Sequence, residues 1–415
     1  MSTTGSAPLR IVLYSHDSQG LGHTRRNLAL AHALSRTLPA ISGRTVSGLL
    51  ITGEAGATRF EAPAGWDWLV LPGIQKAMGA GENAGAYEPR HLMIHQSTLI
   101  RMRSRILKSA IKQYAPHLLV ADRHAFGVEN ELLPALARLR AKRPACRIVL
   151  GLREVLDSPA AARRDWRAMG DLTGFQSIFD EIWVYGDPSI HDPVRTGEIP
   201  ASLTPLVRYT GYLAAGRHSR RPVSGARKPY VLTMAGGGSD GLELMLAAAR
   251  APVPAGHEHL IVTGPQMPKQ HRLDVERAAG KAVRVVGSVR DALPEIREAS
   301  AVVSMGGYNS VCEIMSTTTP ALIVPRVTPR REQLIRAESL ADHGLLDVCH
   351  PADLTPEVLR TWFAAVTGTT TARTGVDLAG LQTVGQFAGS LLAAAAKRAP
   401  VGTHEPAEWG SRAAV

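Results

Sequence analysis

Two doubly wound, Rossmann-like α/β domains facing across a cleft are the fold class that this 415-residue sequence predicts. Three observations predict it. Short apolar, β-rich runs alternate with helical patterns along the whole chain, which is the rhythm of βαβ units around a mostly parallel sheet. That rhythm stops once, in the polar, Pro- and Gly-containing stretch 213–229, and then resumes. Glycine-rich turns stand directly after apolar runs, at the strand-to-helix junctions where such sheets bind ligands.

In chain order, residues 10–15 read as a buried strand, and 24–37 carry Leu28, Ala31 and Leu34 at helical spacing. Strands follow at 46–51, 68–71, 118–121, 147–152 and 182–185, with helices at 92–114 and 129–140 between them. This first domain spans 1–212, and 213–229 is read as a linker. The second domain, 230–378, opens with a strand at 230–234 and a helix near 240–249. It continues with strands at 260–262 and 283–286, helix 291–298, strand 301–304, helix 309–317, strand 321–324 and helix 331–342. An Ala-rich helix, 379–398, closes the fold, and a return to the first domain is one placement for it. Residues 399–415 read as a loose polar tail.

Composition narrows the function. With 45% apolar and 20% charged residues the chain is neither disordered nor fibrous. No run approaches the roughly 18 apolar residues of a spanning helix. The first residues lack the basic-then-apolar order of a secretory signal. The three cysteines form no CxxC pair, which fits a reducing compartment. A cytoplasmic protein is expected, with a peripheral place at the inner membrane face as the variant. The net charge of +11 points to an anionic partner. Nucleic acid is disfavoured, because aromatic residues are only 5% and the cations are dispersed.

Five junctions carry chemistry. Ser15-His16-Asp17-Ser-Gln-Gly20-Leu-Gly22-His23 opens the first helix. Gly20 and Gly22 permit close backbone approach, and His23 can serve as general base, with Asp17 as a second candidate. At the next junction, Ala121-Asp122-Arg123-His124, an extended chain would put Asp122 and His124 on one side, to bind an acceptor or orient a base. Arg153 and Glu154 occupy an equivalent strand end; with His16, Gly20 and Gly22 they form the expected acceptor side. In the second domain, Gly236-Gly237-Gly238 can cradle a phosphate on backbone N–H groups. Gly306-Gly307-Tyr308-Asn309-Ser310 leads into a helix whose positive end suits a diphosphate. Glu313 lies four residues past Asn309, about 6 Å along the same face, the step from a diphosphate to its ribose. Arg326, Arg330 and Arg331 offer positive forks beyond the next strand. No DxD pair is present, His257-Glu258-His259 is too compact for zinc, and no metal is expected.

Gly20-Leu-Gly-His23, Gly236-Gly-Gly238 and Gly306-Gly-Tyr-Asn-Ser-Val-Cys-Glu313, followed by Pro325 and Gln333, resemble the GT-B glycosyltransferases, and within them the MurG-like enzymes. Tyr14 to His23, Tyr185-Gly-Asp-Pro188, Val262-Thr-Gly-Pro265 and Pro329 to Arg336 resemble a set of bacterial glycosyltransferases in particular. The likeness spans roughly residues 10–345. It implies a GT-B architecture and inverting, metal-independent transfer from a nucleotide-diphosphate sugar, with that co-substrate in place of any cofactor. Carried over, Glu313 holds the donor ribose, Gly306 to Ser310 face the diphosphate, Gln333 touches the sugar and Val289 lies by the base. His23 sits near the acceptor hydroxyl. A small molecule or saccharide is the expected acceptor, ahead of a lipid-linked one, since no apolar–basic patch stands out. A nucleotide-sugar epimerase or hydrolase on the same plan is the alternative, and a non-catalytic scaffold is the third class.

Overall fold

The computed structural model describes residues 7–16, 21–76, 87–170, 172–219 and 228–398. Its first sheet contains β1 (Leu9–Tyr14), β2 (Val46–Thr52) and β3 (Trp66–Val70). A two-stranded antiparallel hairpin follows, β4 (Ile74–Lys76) and β5 (Tyr87–Pro89). The first sheet resumes with β6 (Leu118–Asp122), β7 (Arg147–Arg153), β8 (Glu181–Tyr185) and β9 (Val207–Tyr209). Its order is β3-β2-β1-β6-β7-β8-β9, with every ladder parallel. The second sheet comprises β10 (Tyr230–Met234), β11 (Glu258–Val262), β12 (Val283–Val286), β13 (Ala301–Ser304), β14 (Ala321–Ile323) and β15 (Asp347–Val348). It is ordered β12-β11-β10-β13-β14-β15 and is also parallel throughout.

Strands buried on both faces read as unbroken apolar runs, which is why Ile11–Leu13 and Val231–Leu232 were legible. In each sheet the winding reverses beside its first strand: between β1 and β6, and between β10 and β13. Such switch points leave a crevice at the carboxyl ends of the strands. Tyr14 pairs with Ala121 there, and Met234 with Ser304, so the predicted motifs emerge side by side.

The first domain's helices are α1 (Gly22–Ser42), α2 (Gln96–Tyr114), α3 (Leu133–Lys142), α4 (Pro159–Ala168) and α5 (Leu172–Ile178). Those of the second are α6 (Leu242–Arg250), α7 (Lys269–Ala278), α8 (Ala292–Glu298), α9 (Tyr308–Met315), α10 (Glu332–Ala341) and α11 (Pro356–Val366). The last helix, α12 (Gly380–Arg398), lies against α1 of the first domain and buries Leu381, Val384 and Ala388.

Three local readings need correction. The helix expected over 129–140 begins only at Leu133, after a short 3₁₀ turn in which Glu129 and Asn130 have positive φ. Pro134 explains this, since a residue without an N–H belongs in a helix's first turn. The helix expected from residue 92 starts at Gln96, where His95 caps it; Leu92, Met93 and Ile94 stand exposed, an apolar step beside a basic helix that the sequence did not single out. The stretch from 213 does not begin as a linker. Leu213 and Ala214 are fully buried, and the backbone of 212–215 zips onto Asp377 and Leu378.

Candidate active site

The first domain brings an imidazole and a carboxylate together at its switch point. His23, in the first turn of α1, presents Nδ1 to Asp122 Oδ2 at the end of β6, 2.9 Å away. Arg26, one turn further along α1, donates to both Asp122 oxygens at 2.6–2.7 Å and also lies 3.0 Å from His23 Nδ1. The carboxylate is the acceptor that needs a proton, so Nδ1–H donates to Asp122 and Nε2 is left to take one. Burial alone would raise the Asp122 carboxyl; the Arg26 guanidinium and His23 outweigh it and bring its pKa down to about 2. Asp122 is therefore a fixed negative charge at any working pH.

His16 and His124 complete the wall. The His16 ring lies 4.9 Å from that of His23 and 4.2 Å from that of His124, edge to face in both cases. The expectation that Asp122 and His124 share a side of an extended chain is overturned. Arg123 between them has φ 68°, so the chain turns sharply there and the His124 N–H bonds back to Asp122 O. The two groups do different work: Asp122 orients His23, and His124 packs on His16. Burial and then Arg123 hold His124 near pKa 3, and burial with the neighbouring imidazoles holds His16 well below its usual value. Burial does the same to His259, near 3, in the second domain. A depressed imidazole keeps its full stabilising contribution above the unfolded value of 6.5 and loses it as pH falls toward the folded value. Melting temperature is accordingly expected to fall on acidification from pH 6.5 to about 5, before most carboxylates titrate. Each such imidazole contributes about 1.4 kcal/mol per pH unit in that window. A scan of Tm against pH that stays flat over this range would contradict neutral burial.

The second domain supplies the turn after β13. Gly306 has φ 75°, and a Cβ there would sit 2.6 Å from Ile323 Cγ2, so the turn requires glycine. It launches α9, whose first turn has neither a side-chain cap nor an acidic residue. Its N–H groups are open to an anion in a way a capped helix would not be. The side chains of Tyr308 and Asn309 in this turn engage the other domain. Tyr308 is buried with Arg26 and Arg336 each 5.6 Å from its ring centre, and its hydroxyl donates to Tyr185 O at 2.8 Å. Asn309 donates to Gly22 O at 2.7 Å and accepts from Arg217 at 3.1 Å. The first turns of α1 and α9 are therefore in direct contact, and His23 follows Gly22 immediately.

Glu313 is buried on α9, with Oε1 paired to Arg25 of α1 and 3.6 Å from Arg217. Its Oε2 is buried and has no hydrogen-bond partner among the described residues. A carboxylate oxygen left open in a dry crevice is an acceptor waiting for hydroxyl donors.

Other expected residues are placed as follows. Asp17 and Gly20 lie outside the described residues. Gly238, with φ 92°, packs against the backbone of Thr263, where a Cβ would meet the Thr263 carbonyl oxygen at 2.2 Å. Gly237 is bonded through its carbonyl to Gln266, so close packing onto the 263–266 turn accounts for part of this glycine run; Gly236 and Gly237 remain exposed. Val289 is half-buried against the core. Arg326, expected to fork a phosphate, is paired with Glu332 at 2.6 Å and Asp240 at 3.1 Å. Gln333 accepts from the Arg326 N–H at 3.0 Å, bracing the loop. Glu154, expected on the acceptor side, is fully buried and paired with Arg336 of α10 at 2.6 Å. Arg330 reaches toward Asp157 at 3.6 Å. Arg25, Arg26, Arg217 and Arg336 were not foreseen. Their partners lie in other elements, and only the Arg-rich opening of α1 hinted at two of them.

Against this geometry, two lines of similarity converge. Residues 232–366, within the second domain, match the glycosyltransferase family 28 C-terminal domain. Over 319 residues the chain is 24% identical to an uncharacterized glycosyltransferase of Methanosarcina mazei, covering 74% of this chain and 77% of that protein. Solved structures align along almost the whole chain. The calicheamicin glycosyltransferase CalG4 gives a TM-score of 0.54 at 16% identity, covering 94% of this chain and 97% of its own. Glycosyltransferase VinC, in complex with dTDP, gives 0.53 at 15%, covering 94% and 100%. MurG of Acinetobacter baumannii gives 0.50 at 15%, covering 94% and 96%. Two parallel-sheet domains meeting at their switch points, with that matched domain, define a GT-B glycosyltransferase. Its second domain carries the match to the family 28 C-terminal domain, and its fold is shared with MurG. Among the described residues no helix is long and apolar enough to cross a membrane.

Proposed function

We propose that this glycosyltransferase moves a sugar from a nucleotide-diphosphate donor to a small-molecule or saccharide hydroxyl, inverting the anomeric carbon without a bound metal ion. The observation that carries the reading is the contact between the His23–Asp122 pair and the α9 turn, made through Gly22 and Asn309. A base on one domain and an anion-binding helix start on the other are what a single displacement needs. The acceptor oxygen bonds to the anomeric carbon as His23 Nε2 takes its proton, and the bond to the diphosphate oxygen breaks. The electron pair of that bond leaves with the diphosphate. Its growing charge meets the uncapped N–H groups of α9, fixed dipoles in a crevice that excludes water. One displacement on the face opposite the leaving group inverts the centre.

Glu313 Oε2 is the natural acceptor for the donor's ribose hydroxyls. Replacing it (Glu313→Ala) is expected to weaken nucleoside-diphosphate binding by a factor of about 5–150, the equivalent of about 1–3 kcal/mol for a charged hydrogen bond. Thermal shift with UDP, GDP and dTDP measures this and ranks the donor bases without an acceptor. Unchanged affinity in the variant would remove Glu313 from the site. Incubation with the preferred donor sugar alone tests the reaction class, since rapid epimer formation or hydrolysis without acceptor would replace transfer by the alternative chemistry.

A further inference from the structure

The first domain contains a buried guanidinium N–H that has no hydrogen-bond partner among the described residues. Arg153 ends β7, where its Nε is buried without a hydrogen-bond partner. Of the carboxylates around it, Glu154 is paired with Arg336, while Glu332 bonds Arg326 through Oε1, keeps Oε2 buried without a hydrogen-bond partner and is the one whose charge supports Arg153. Its remaining charged neighbours are cations, Arg336 from across the cleft and Arg123 and Arg26 from its own domain. Burial, then the approach of Arg336, draws its pKa down to about 9. Lys76 and Arg123 are shifted down too, by burial and then by Arg330 in both cases. A fold does not gather cations in a half-dry crevice for stability, because buried like charges repel and each lacks solvation.

Backbone strain marks the same place. Arg123 adopts φ 68°, a left-handed conformation that costs a non-glycine residue free energy and concentrates at functional sites. Its largely buried guanidinium has the exposed Asp165 as its carboxylate contact, at 3.4 Å. Arg330, on the opposite loop, has only long contacts, 3.6 Å to Asp157 and 4.0 Å to Asp165.

We propose that Arg153, Arg123 and Arg330 form a subsite for an anionic group, a phosphate or carboxylate, carried by the acceptor. This rests on the first domain being the acceptor side. Two observations assign the anion to the acceptor rather than to the donor. Arg123 directly follows Asp122, so the subsite adjoins the base that the acceptor hydroxyl must reach. The donor diphosphate already has its own partner in the uncapped turn of α9. Planar guanidinium forks suit the paired oxygens of either group.

Inorganic phosphate at low millimolar concentration is the probe, read by thermal shift with and without saturating nucleoside diphosphate. In the wild-type protein phosphate raises Tm in both conditions, because the two sites fill independently. The Arg153→Gln variant binds phosphate about tenfold or more weakly, as loss of a charge-assisted hydrogen bond does, and keeps its nucleotide response. Arg123→Gln gives the same loss of phosphate binding and serves where the first variant folds poorly. Competition between phosphate and nucleotide would make the anion the donor's own diphosphate and overturn the proposal. So would a wild-type protein indifferent to phosphate, or an unchanged response in the variants. A protein that binds phosphate but no nucleotide would overturn the donor reading and leave the anion subsite standing.

Discussion

Replacing His23 by alanine is expected to lower kcat by roughly 10²–10⁴, the usual worth of a positioned general base. Donor affinity should stay near that of the wild type, because His23 belongs to the first domain and Glu313 and the α9 turn to the second. The split between kcat and donor KM is the readout, with added imidazole restoring part of the rate. Asp122→Asn should cost a similar factor for a different reason. An amide accepts less strongly from Nδ1–H, so the tautomer that frees Nε2 is no longer enforced. That variant also strands the Arg26 guanidinium, which is 2% exposed, so its stability falls together with its rate. Near-normal turnover in His23→Ala would move the base to His16 or His124, whose rings lie within reach of the same crevice.

What was legible in the sequence was local. A strand that hands over to a helix through Gly306-Gly307 states its own geometry: φ must turn positive, and the new helix must begin without a cap. The parallel order of the sheets followed from apolar runs too continuous for a half-solvated strand. α7 was missed because it buries only Val275 and so shows no apolar stripe to read. The site was legible in its single residues and illegible in its pairs. Glu313 meets Arg25 from 288 positions away, and Arg336 meets Glu154 from 182. No spacing rule reaches so far, because the register is set by two sheets and their docking. The strand ends at 122 and 153 show how this misleads. Each places two charged residues in succession, and the fold gives them different partners: Asp122 holds His23 and Arg26 while Arg123 reaches Asp165, and Glu154 is buried in an interdomain pair while the Arg153 Nε has no hydrogen-bond partner.

Removing Arg103 should produce the largest loss of stability. Its guanidinium on α2 is fully buried and bonds Glu131 twice, at 2.5 and 2.7 Å, and Pro72 O at 2.6 Å. Glu131 also accepts from the Tyr14 hydroxyl at 2.6 Å. Burial would push the Arg103 pKa down, and the hydrogen bonds and charge of Glu131 reverse this, so the guanidinium stays charged. Arg103→Met keeps the bulk but leaves a dry carboxylate facing Tyr14, at a cost of about 3–5 kcal/mol. That is a large part of the roughly 5–15 kcal/mol by which a domain is stable. In a domain of this size Tm should drop by roughly 6–20 °C. Denaturant unfolding measures the loss, and adding Glu131→Gln should return part of it, because the stranded charge, more than the lost contact, is what destabilises. A cost below about 1 kcal/mol, or strict additivity of the two changes, would show that water reaches the pair. The consequence reaches the active site through Tyr14. It ends β1 two residues before His16, so Arg103, Glu131 and Tyr14 form the buried footing on which the imidazole wall and the start of α1 stand.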